Sequence, residues 1–126
     1  MNKNLKLLLI VSLCLLLGAC SVFESKRPVD YNGSEWFCES AGMEFSVSEG
    51  EVTNAVLKDK NGDDVSVTVI FSDIEESKMS VINAESGEKL FEGDCTFAKK
   101  EFKLRITDFY GTEFEHLQKQ LSFKRK

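Results

Sequence analysis

Apolar and polar residues alternate with a period of two over most of the chain after Gly33. Side chains of a β-strand point alternately to the two faces of a sheet, so this period predicts strands with one buried face. The apolar positions fall into eight segments: Trp36/Cys38, Met43/Phe45/Val47, Ala55/Leu57, Val65/Val67/Val69/Phe71, Met79/Val81, Phe91/Cys95/Phe97, Phe102/Leu104/Ile106 and Leu121/Phe123. The pattern predicts an all-β fold, a small antiparallel up-and-down meander of about eight strands.

Eight antiparallel strands in sequence order leave two exposed edges, which are removed or protected when the sheet closes into a barrel or folds into a sandwich. Polar residues on the opposite phase, such as Ser66, Thr68 and Thr107, are typical of an outer face in water. We favour the barrel. Its inward side chains, which include Trp36 and several phenylalanines, are mostly large and are about enough to fill an eight-stranded barrel.

Short turn signals separate these segments at intervals of about 8 to 13 residues. Asn61-Gly62 is the strongest of them, because a two-residue type I′ turn needs residues that tolerate positive φ. Glu113–Gln120 fits two alternatives. Its apolar residues mark either a helical turn and a half or an irregular lead into the last strand.

The first nineteen residues have the pattern of a secretion signal: two early lysines, an apolar run over Leu7–Leu17 and small residues before Cys20. An apolar run of this length is about half of the roughly 20 residues that a membrane-spanning helix needs. We therefore expect three regions. Residues 1–19 are a lipoprotein signal peptide, residues 20–32 a lipidated flexible tether, and residues 33–126 the β-barrel domain.

Leu17-Gly18-Ala19-Cys20 resembles the lipobox of bacterial lipoproteins. The resemblance implies that the Cys20 thiol receives a diacylglycerol, that the signal is cleaved before Cys20, and that the new amino group is acylated in many bacteria. Two or more acyl chains hold a protein on a membrane almost irreversibly. The expected location is the bacterial cell envelope, with the domain lipid-anchored outside the cytoplasm on the plasma membrane or the outer membrane.

Removal of residues 1–19 takes away two lysines and no acidic residue, so the net charge falls from −5 to −7. An acidic domain repels phosphate backbones, and the chain has no basic stripe interleaved with aromatic residues. We therefore expect no nucleic-acid partner.

Two cysteines, Cys38 and Cys95, remain after Cys14 leaves with the signal and Cys20 is lipidated. Disulfides form readily outside the cytoplasm, and only one pairing is possible. Both residues lie on the apolar phase of their strands. The sequence thus predicts a Cys38–Cys95 bond across the interior, worth roughly 4 kcal/mol through loop closure.

The segment from Asp108 to Phe114 carries three aromatic residues around Gly111. Such residues at a barrel mouth either plug the core or form a contact surface. With the tryptophan of the first strand they make up the candidate ligand or partner contacts: Trp36, Phe109, Tyr110 and Phe114.

The sequence holds no recognisable set of catalytic residues, and we expect no enzymatic activity, no metal and no cofactor. His116 is the only histidine and lies in a polar stretch typical of a solvated surface. The acidic run from Asp59 to Asp64 lacks the glycine position and the closing glutamate of a calcium loop, which favours a hairpin turn.

Gly33-Ser34-Glu35-Trp36 resembles the start of lipocalin-like bacterial lipoproteins, which implies a lipocalin-like barrel that carries a small apolar ligand. Trp36-Phe37-Cys38 and the following Met43–Val47 resemble the small β-barrel lipoproteins that inhibit C-type lysozyme. That family has a Ser-Gly-x-x-Tyr loop, whereas here Ser86-Gly87 is followed by Glu88, Lys89 and Leu90.

The function that we expect is a membrane-anchored binding module for an envelope or host partner. The alternatives are a carrier of a small apolar ligand and a lysozyme-type inhibitor. An up-and-down barrel of eight strands begins and finishes at one end, which places five cations beside the anchor, where they can attract an anionic membrane surface: Lys26, Arg27, Lys124, Arg125 and Lys126.

Overall fold

The computed structural model describes residues 27–72 and 77–126. Within these residues the chain forms a short 3-10 turn, Pro28–Asp30, followed by eight strands: β1 (Glu35–Cys38), β2 (Met43–Ser48), β3 (Glu51–Lys58), β4 (Asp64–Phe71), β5 (Lys78–Asn83), β6 (Lys89–Phe97), β7 (Glu101–Phe109) and β8 (Gln120–Arg125). Every neighbouring pair is antiparallel, and β8 pairs back with β1. The predicted all-β meander is confirmed, and it closes as a barrel.

The interior is built from the predicted apolar phase of each strand. In β2, for example, Met43, Phe45 and Val47 are buried while the residues between them are exposed or half-buried. All the predicted inward residues are buried except Val65 and Phe97, which are half-buried. The period of two therefore identified the core face correctly in all eight strands.

The barrel has two different ends. The tether end is formed by Arg27–Ser34, Glu49-Gly50, Ala98–Lys100 and Lys126, at the start of β1 and the finish of β8. The loop end is formed by the four turns at the opposite side, residues 39–42, 59–63, 84–88 and 110–119.

Residues Arg27–Asn32, which the sequence assigns to the tether, lie on the barrel. The Arg27 guanidinium donates to the Ser72 carbonyl oxygen at 3.0 Å, and Gly33 N–H donates to the Val47 carbonyl oxygen at 2.9 Å. Pro28 is buried, and Val29 and Tyr31 pack against the core. This segment therefore crosses the tether end from β4 to β2.

The type I′ turn is at Glu49-Gly50, not at Asn61-Gly62 as predicted. Glu49 has φ of 50° and Gly50 of 80°, whereas of the predicted pair only Gly62 has positive φ. The carboxylate of Asp59 explains the difference. It accepts the backbone N–H groups of Asn61 and Asp63, at 2.8 and 2.9 Å, and so stabilises a five-residue connection between β3 and β4.

The predicted Cys38–Cys95 disulfide is not formed; both cysteines are buried and free. They lie on β1 and β6, three strand spacings apart around the wall, or roughly 11 Å or more straight across the barrel. A disulfide needs Cα atoms within about 7 Å. The prediction that both cysteine side chains point inward was thus correct. Pointing inward, however, does not bring residues of two non-adjacent strands within disulfide-bonding distance.

Glu113–Gln120 forms turns that lead into β8, the second of the two predicted alternatives. Leu117 N–H donates to the Phe114 carbonyl oxygen at 3.0 Å, and Gln120 already belongs to β8. The signal peptide, Cys20 and Lys26 lie outside the described residues. In the described part of the chain, no helix has the length and apolar character to cross a bilayer.

Candidate binding surface at the loop end

The four predicted contact residues do not form one site. Trp36 lies at the tether end, near the start of β1, whereas Phe109, Tyr110 and Phe114 lie at the loop end. Trp36 is 1% exposed, its Nε1 donates to Ser34 Oγ at 2.8 Å, and its ring meets Phe102 edge-on at 5.4 Å. In this structure Trp36 is a core residue.

Phe114 closes the loop end from inside. It is 2% exposed, and its ring contacts Phe91 at a centroid distance of 6.3 Å. Leu117, three residues later, is also buried, and the ring of the half-buried Phe109 lies 6.1 Å from that of Phe91. These side chains act as the plug that one of the two sequence alternatives predicted.

Tyr110 is the one member of the group that faces solvent, with 44% of its surface exposed. Its backbone N–H donates to the Leu90 carbonyl oxygen at 3.0 Å, and its phenol donates to Glu92 Oε1 at 2.5 Å. The turn 110–119 is therefore fixed at its first residue to the start of β6.

Glu92 is a buried carboxylate on the outer face of β5, β6 and β7, only 6% exposed. Besides the hydrogen bond from the Tyr110 phenol, its carboxylate accepts one from Ser80 Oγ at 3.2 Å. The ammonium groups of Lys78 and Lys89 form ion pairs with it at 3.5 and 3.6 Å. The hydrogen bond from Tyr110 is the main cause that lowers the pKa of Glu92 below its ordinary value. The carboxylate therefore stays ionised and fully partnered.

The same hydrogen bond acts on the phenol in the opposite direction. It raises the pKa of Tyr110 to about 12 because the neighbouring carboxylate disfavours a phenolate. Neither group is suited to proton transfer near neutral pH, where Glu92 is ionised and Tyr110 is protonated. We call the contact between Tyr110 and Glu92 the clasp; its chemistry is that of a fixed hydrogen bond.

A β-bulge creates the clasp. The register between β6 and β7 shifts between Glu92 and Gly93, so Thr107 has no opposite residue and Asp108 faces Glu92. Gly93 permits the close approach of the strands, because a Cβ atom there would lie 2.0 Å from the Arg105 carbonyl oxygen. Glu92 was not predicted from the sequence as a site residue. The adjacent apolar pair Leu90-Phe91, which breaks the period of two, was the available signal.

The four turns of the loop end carry seven carboxylates and two lysines: Glu39, Asp59, Asp63, Glu85, Glu88, Glu113 and Glu115, with Lys60 and Lys119. Within residues 27–72 and 77–126, no three His, Cys, Asp or Glu side chains are grouped to hold a metal ion. His116 is exposed, with its ring 6.0 Å from Phe114. The loop end is an acidic polar surface with one exposed aromatic ring.

The two cysteine thiols are buried inside the barrel, Cys38 beside the 39–42 turn of the loop end and Cys95 on β6. Cys38 Sγ is 3.4 Å from Ser40 Oγ, and Cys95 Sγ is 3.9 Å from Met79 Sδ. Burial raises the pKa of the Cys95 thiol to about 12, so it carries a proton at neutral pH and is a poor nucleophile.

Comparison of this chain with models of protein families, with curated proteins and with solved structures finds no match in any of the three. A functional hypothesis for it therefore depends on its own residues and geometry.

Proposed function

We propose that this chain is a lipid-anchored extracytoplasmic lipoprotein whose barrel is a non-catalytic binding module for an envelope or host partner. The lipobox-like Leu17-Gly18-Ala19-Cys20 supports the anchor, with Cys20 as the lipidated residue. A single lipidated cysteine before a short tether would keep the domain within a few nanometres of the membrane.

The observation that carries the proposal is the position of the two chain ends. β1 begins and β8 finishes at the same end of the barrel, and Arg27, the first described residue, also lies at that end. An anchor upstream of Arg27 therefore favours the tether end toward the membrane and the loop end, with its acidic turns and exposed Tyr110, away from it. The loop end is then the surface that a partner meets.

The cations near the tether end fit this orientation in part. The described ones, Arg27 and Lys124–Lys126, do lie at or next to that end. However, the Arg125 guanidinium lies 4.7 Å from the Tyr31 ring centroid, and Lys126 Nζ is 3.0 Å from Glu44 Oε2. The β6–β7 turn adds Lys99 and Lys100, two exposed ammonium groups on the same end, which would be attracted to anionic lipid.

A carrier of a small apolar ligand is the first alternative, and the filling of the interior argues against it. Phe102 and Phe123 stack with their centroids 4.5 Å apart, and the rings of Trp36, Phe45 and Phe71 contact Phe102 at 5.4 to 6.2 Å. Rings at these distances are in van der Waals contact. This half of the interior leaves little space for a ligand.

A lysozyme-type inhibitor is the second alternative, and the acidic loop end favours it, because such a surface attracts a basic enzyme. The turn with Ser86-Gly87 lies on this end, and Gly87 has φ of 77°. A cell-wall lysis assay with a C-type lysozyme and the purified lipoprotein decides this alternative.

Site-directed labelling in intact cells tests the proposed function. Cys38 and Cys95 are buried, so a new surface cysteine would be the reactive thiol of the folded domain. A membrane-impermeant maleimide should label Glu113→Cys at the loop end much faster than Lys99→Cys at the tether end. The Cys20→Ala variant should lose acyl labelling and sediment no longer with membranes.

A benzophenone maleimide on the same two cysteines should crosslink a protein partner from Glu113→Cys and only lipid from Lys99→Cys. Equal labelling rates at both positions, or partner crosslinks confined to Lys99→Cys, would contradict the proposed orientation and binding surface.

A further inference from the structure

A groove of about 500 Å³ lies on the outside of the barrel where β8 meets β1, close to the loop end. One wall comes from Phe37, Glu39 and Ser40 at the finish of β1, and the other from the residues around the start of β8, Gln118, Gln120, Ser122 and Lys124. The groove belongs to neither the clasp nor the plug.

The groove exists because β1 is shorter than its neighbour. β1 has four residues and β8 has six, and their pairing covers only Trp36 with Arg125 and Phe37 with Lys124. After Cys38 the chain bends away into a turn in which Gly42 N–H donates to the Glu39 carbonyl oxygen at 3.2 Å. The first residues of β8 therefore extend past the end of their neighbour.

The backbone of this part of β8 has an open edge. In an antiparallel sheet, successive residues direct their N–H and C=O groups alternately to the two neighbouring strands. Arg125 N–H donates to the Lys100 carbonyl oxygen on the β7 side, so Gln120 and Ser122 face the β1 side. No hydrogen bond among the described residues involves Gln120 or Ser122 on that side.

Four of the polar side chains that line the groove have no side-chain partner among the described residues. In the part of the chain that the structure describes, no side-chain hydrogen bond or ion pair engages Glu39, Gln118, Gln120 or Lys124. A carboxylate on one wall and an ammonium group on the other thus lie beside a free strand edge, with the half-buried Phe37 ring in the first wall.

We propose that this edge binds an extended peptide segment of a partner protein, which adds to Gln120–Ser122 as a short strand. The inference rests on the proposed binding function and specifies its partner. Strand addition to an open sheet edge uses main-chain hydrogen bonds for affinity and neighbouring side chains for specificity. Three residues of a strand span about 10 Å. The two walls select a segment with a basic residue toward Glu39 and an acidic residue toward Lys124.

Ser122→Pro is the sharpest variant. It removes the free N–H of Ser122, which belongs to no hydrogen bond of the barrel, and proline is tolerated on strand edges whose N–H faces solvent. Ser122→Ala is the matched control, because it removes only the hydroxyl group. Equal thermal unfolding of the two variants establishes that the barrel itself is unaffected.

The probe is a phage library of random heptapeptides, selected on the full lipidated chain in detergent, with enriched sequences then made as synthetic peptides. The expected result is equal affinity for the wild-type chain and Ser122→Ala, and an affinity about tenfold or more lower for Ser122→Pro. Hydrogen exchange should slow at the amides of Gln120 and Ser122 when peptide binds.

If Ser122→Pro fails to fold, N-methylated peptides replace it as the test on the wild-type chain. Methylation at alternate residues should abolish binding, and methylation at the intervening residues should not.

Three results would overturn the proposal: no enrichment over bare support, protection confined to other amides such as those of residues 59–63, or a dimer of the chain that Ser122→Pro dissolves. The second result leaves the binding function intact, and a dimer assigns the edge to a second copy. The crosslinking from Glu113→Cys judges the binding function separately.

Discussion

The half of the barrel nearer the tether end and the half nearer the loop end are stabilised by different kinds of contact. Toward the tether end, aromatic rings from β1, β2, β4, β6, β7 and β8 form a continuous cluster around Phe102, with centroid distances of 4.5 to 6.2 Å. Toward the loop end, Phe91 contacts two rings, and the turn 110–119 is fixed by the clasp.

The contacts that stabilise the fold are thus of a different kind from the contacts that shape the proposed binding surface. Burial of aromatic rings is non-directional and depends mainly on area, so the tether half can be specified by pattern alone. The clasp needs particular polar atoms at hydrogen-bond distance, and those atoms come from a bulge and a turn. The loop end therefore carries the polar, chain-specific surface on which the proposed binding depends.

The largest effect should come from Phe102→Ala, which removes the ring that most of the tether-half cluster contacts. We expect a loss of about 3–5 kcal/mol in the free energy of unfolding. Phe114→Ala at the loop end should cost less, about 2 kcal/mol, because a turn can collapse into the space more readily than paired strands can. Urea unfolding of the two variants measures both values. Equal losses would show that the two halves are packed alike.

Gly93→Ala should rank next, with a loss of about 3 kcal/mol, because the new methyl group meets the Arg105 carbonyl carbon and oxygen inside the β6–β7 ladder. Gly87→Ala is the matched control. Its added methyl group has no neighbour within 4 Å, so only the cost of its positive φ, about 1 kcal/mol, remains. Similar melting temperatures for the two variants would exclude a close strand approach at Gly93.

Tyr110→Phe should have a smaller effect that depends on pH. Because the pKa of folded Glu92 is lowered, its contribution to stability is complete above its ordinary value of 4.5 and is lost as the pH falls through the lower folded value. The raised pKa of Tyr110 makes the phenol's contribution complete below pH 10 and lost as the pH rises toward about 12.

The stability difference between wild type and Tyr110→Phe should therefore be greatest from about pH 5 to pH 10 and shrink on both sides. Melting temperatures measured from about pH 3 to about pH 12 provide the test, with the Glu92→Gln background as the control in which Tyr110→Phe should matter less. A difference that is constant with pH would exclude the clasp as a charge-assisted hydrogen bond.

Reductant should have the smallest effect. With Cys38 and Cys95 free, dithiothreitol should leave the melting temperature unchanged, and an aromatic disulfide reagent should titrate both thiols only after unfolding. A fall of several degrees on reduction would instead indicate that the predicted bond forms in the protein, since a loop of this size stabilises by roughly 4 kcal/mol.

The strands and the core could be predicted because each depends on one local property, the alternation of side chains across a sheet. The conformation of the Asn61-Gly62 connection and the free cysteines could not. The first depended on the competing carboxylate of Asp59, and the second on how far apart two strands lie around the barrel. Pattern gives the face of a residue but not its distance from a residue on another strand.

The polar site was less predictable still. Glu92 lies opposite Asp108 only because Thr107 bulges out of β7, and its side-chain partners come from three separate segments, β5, the start of β6 and the turn 110–119. The groove beside β8 depends on where β1 stops, and strand ends are poorly marked in sequence.

The central claim is that the interior is filled and that recognition takes place on the outside of the barrel. Native mass spectrometry of the mature chain, purified from its own cells in mild detergent, tests it most directly. The account predicts the mass of the mature chain alone, with any covalent lipid, unchanged between gentle and unfolding conditions. An added mass of roughly a few hundred daltons that disappears on unfolding would contradict it and identify a ligand carrier.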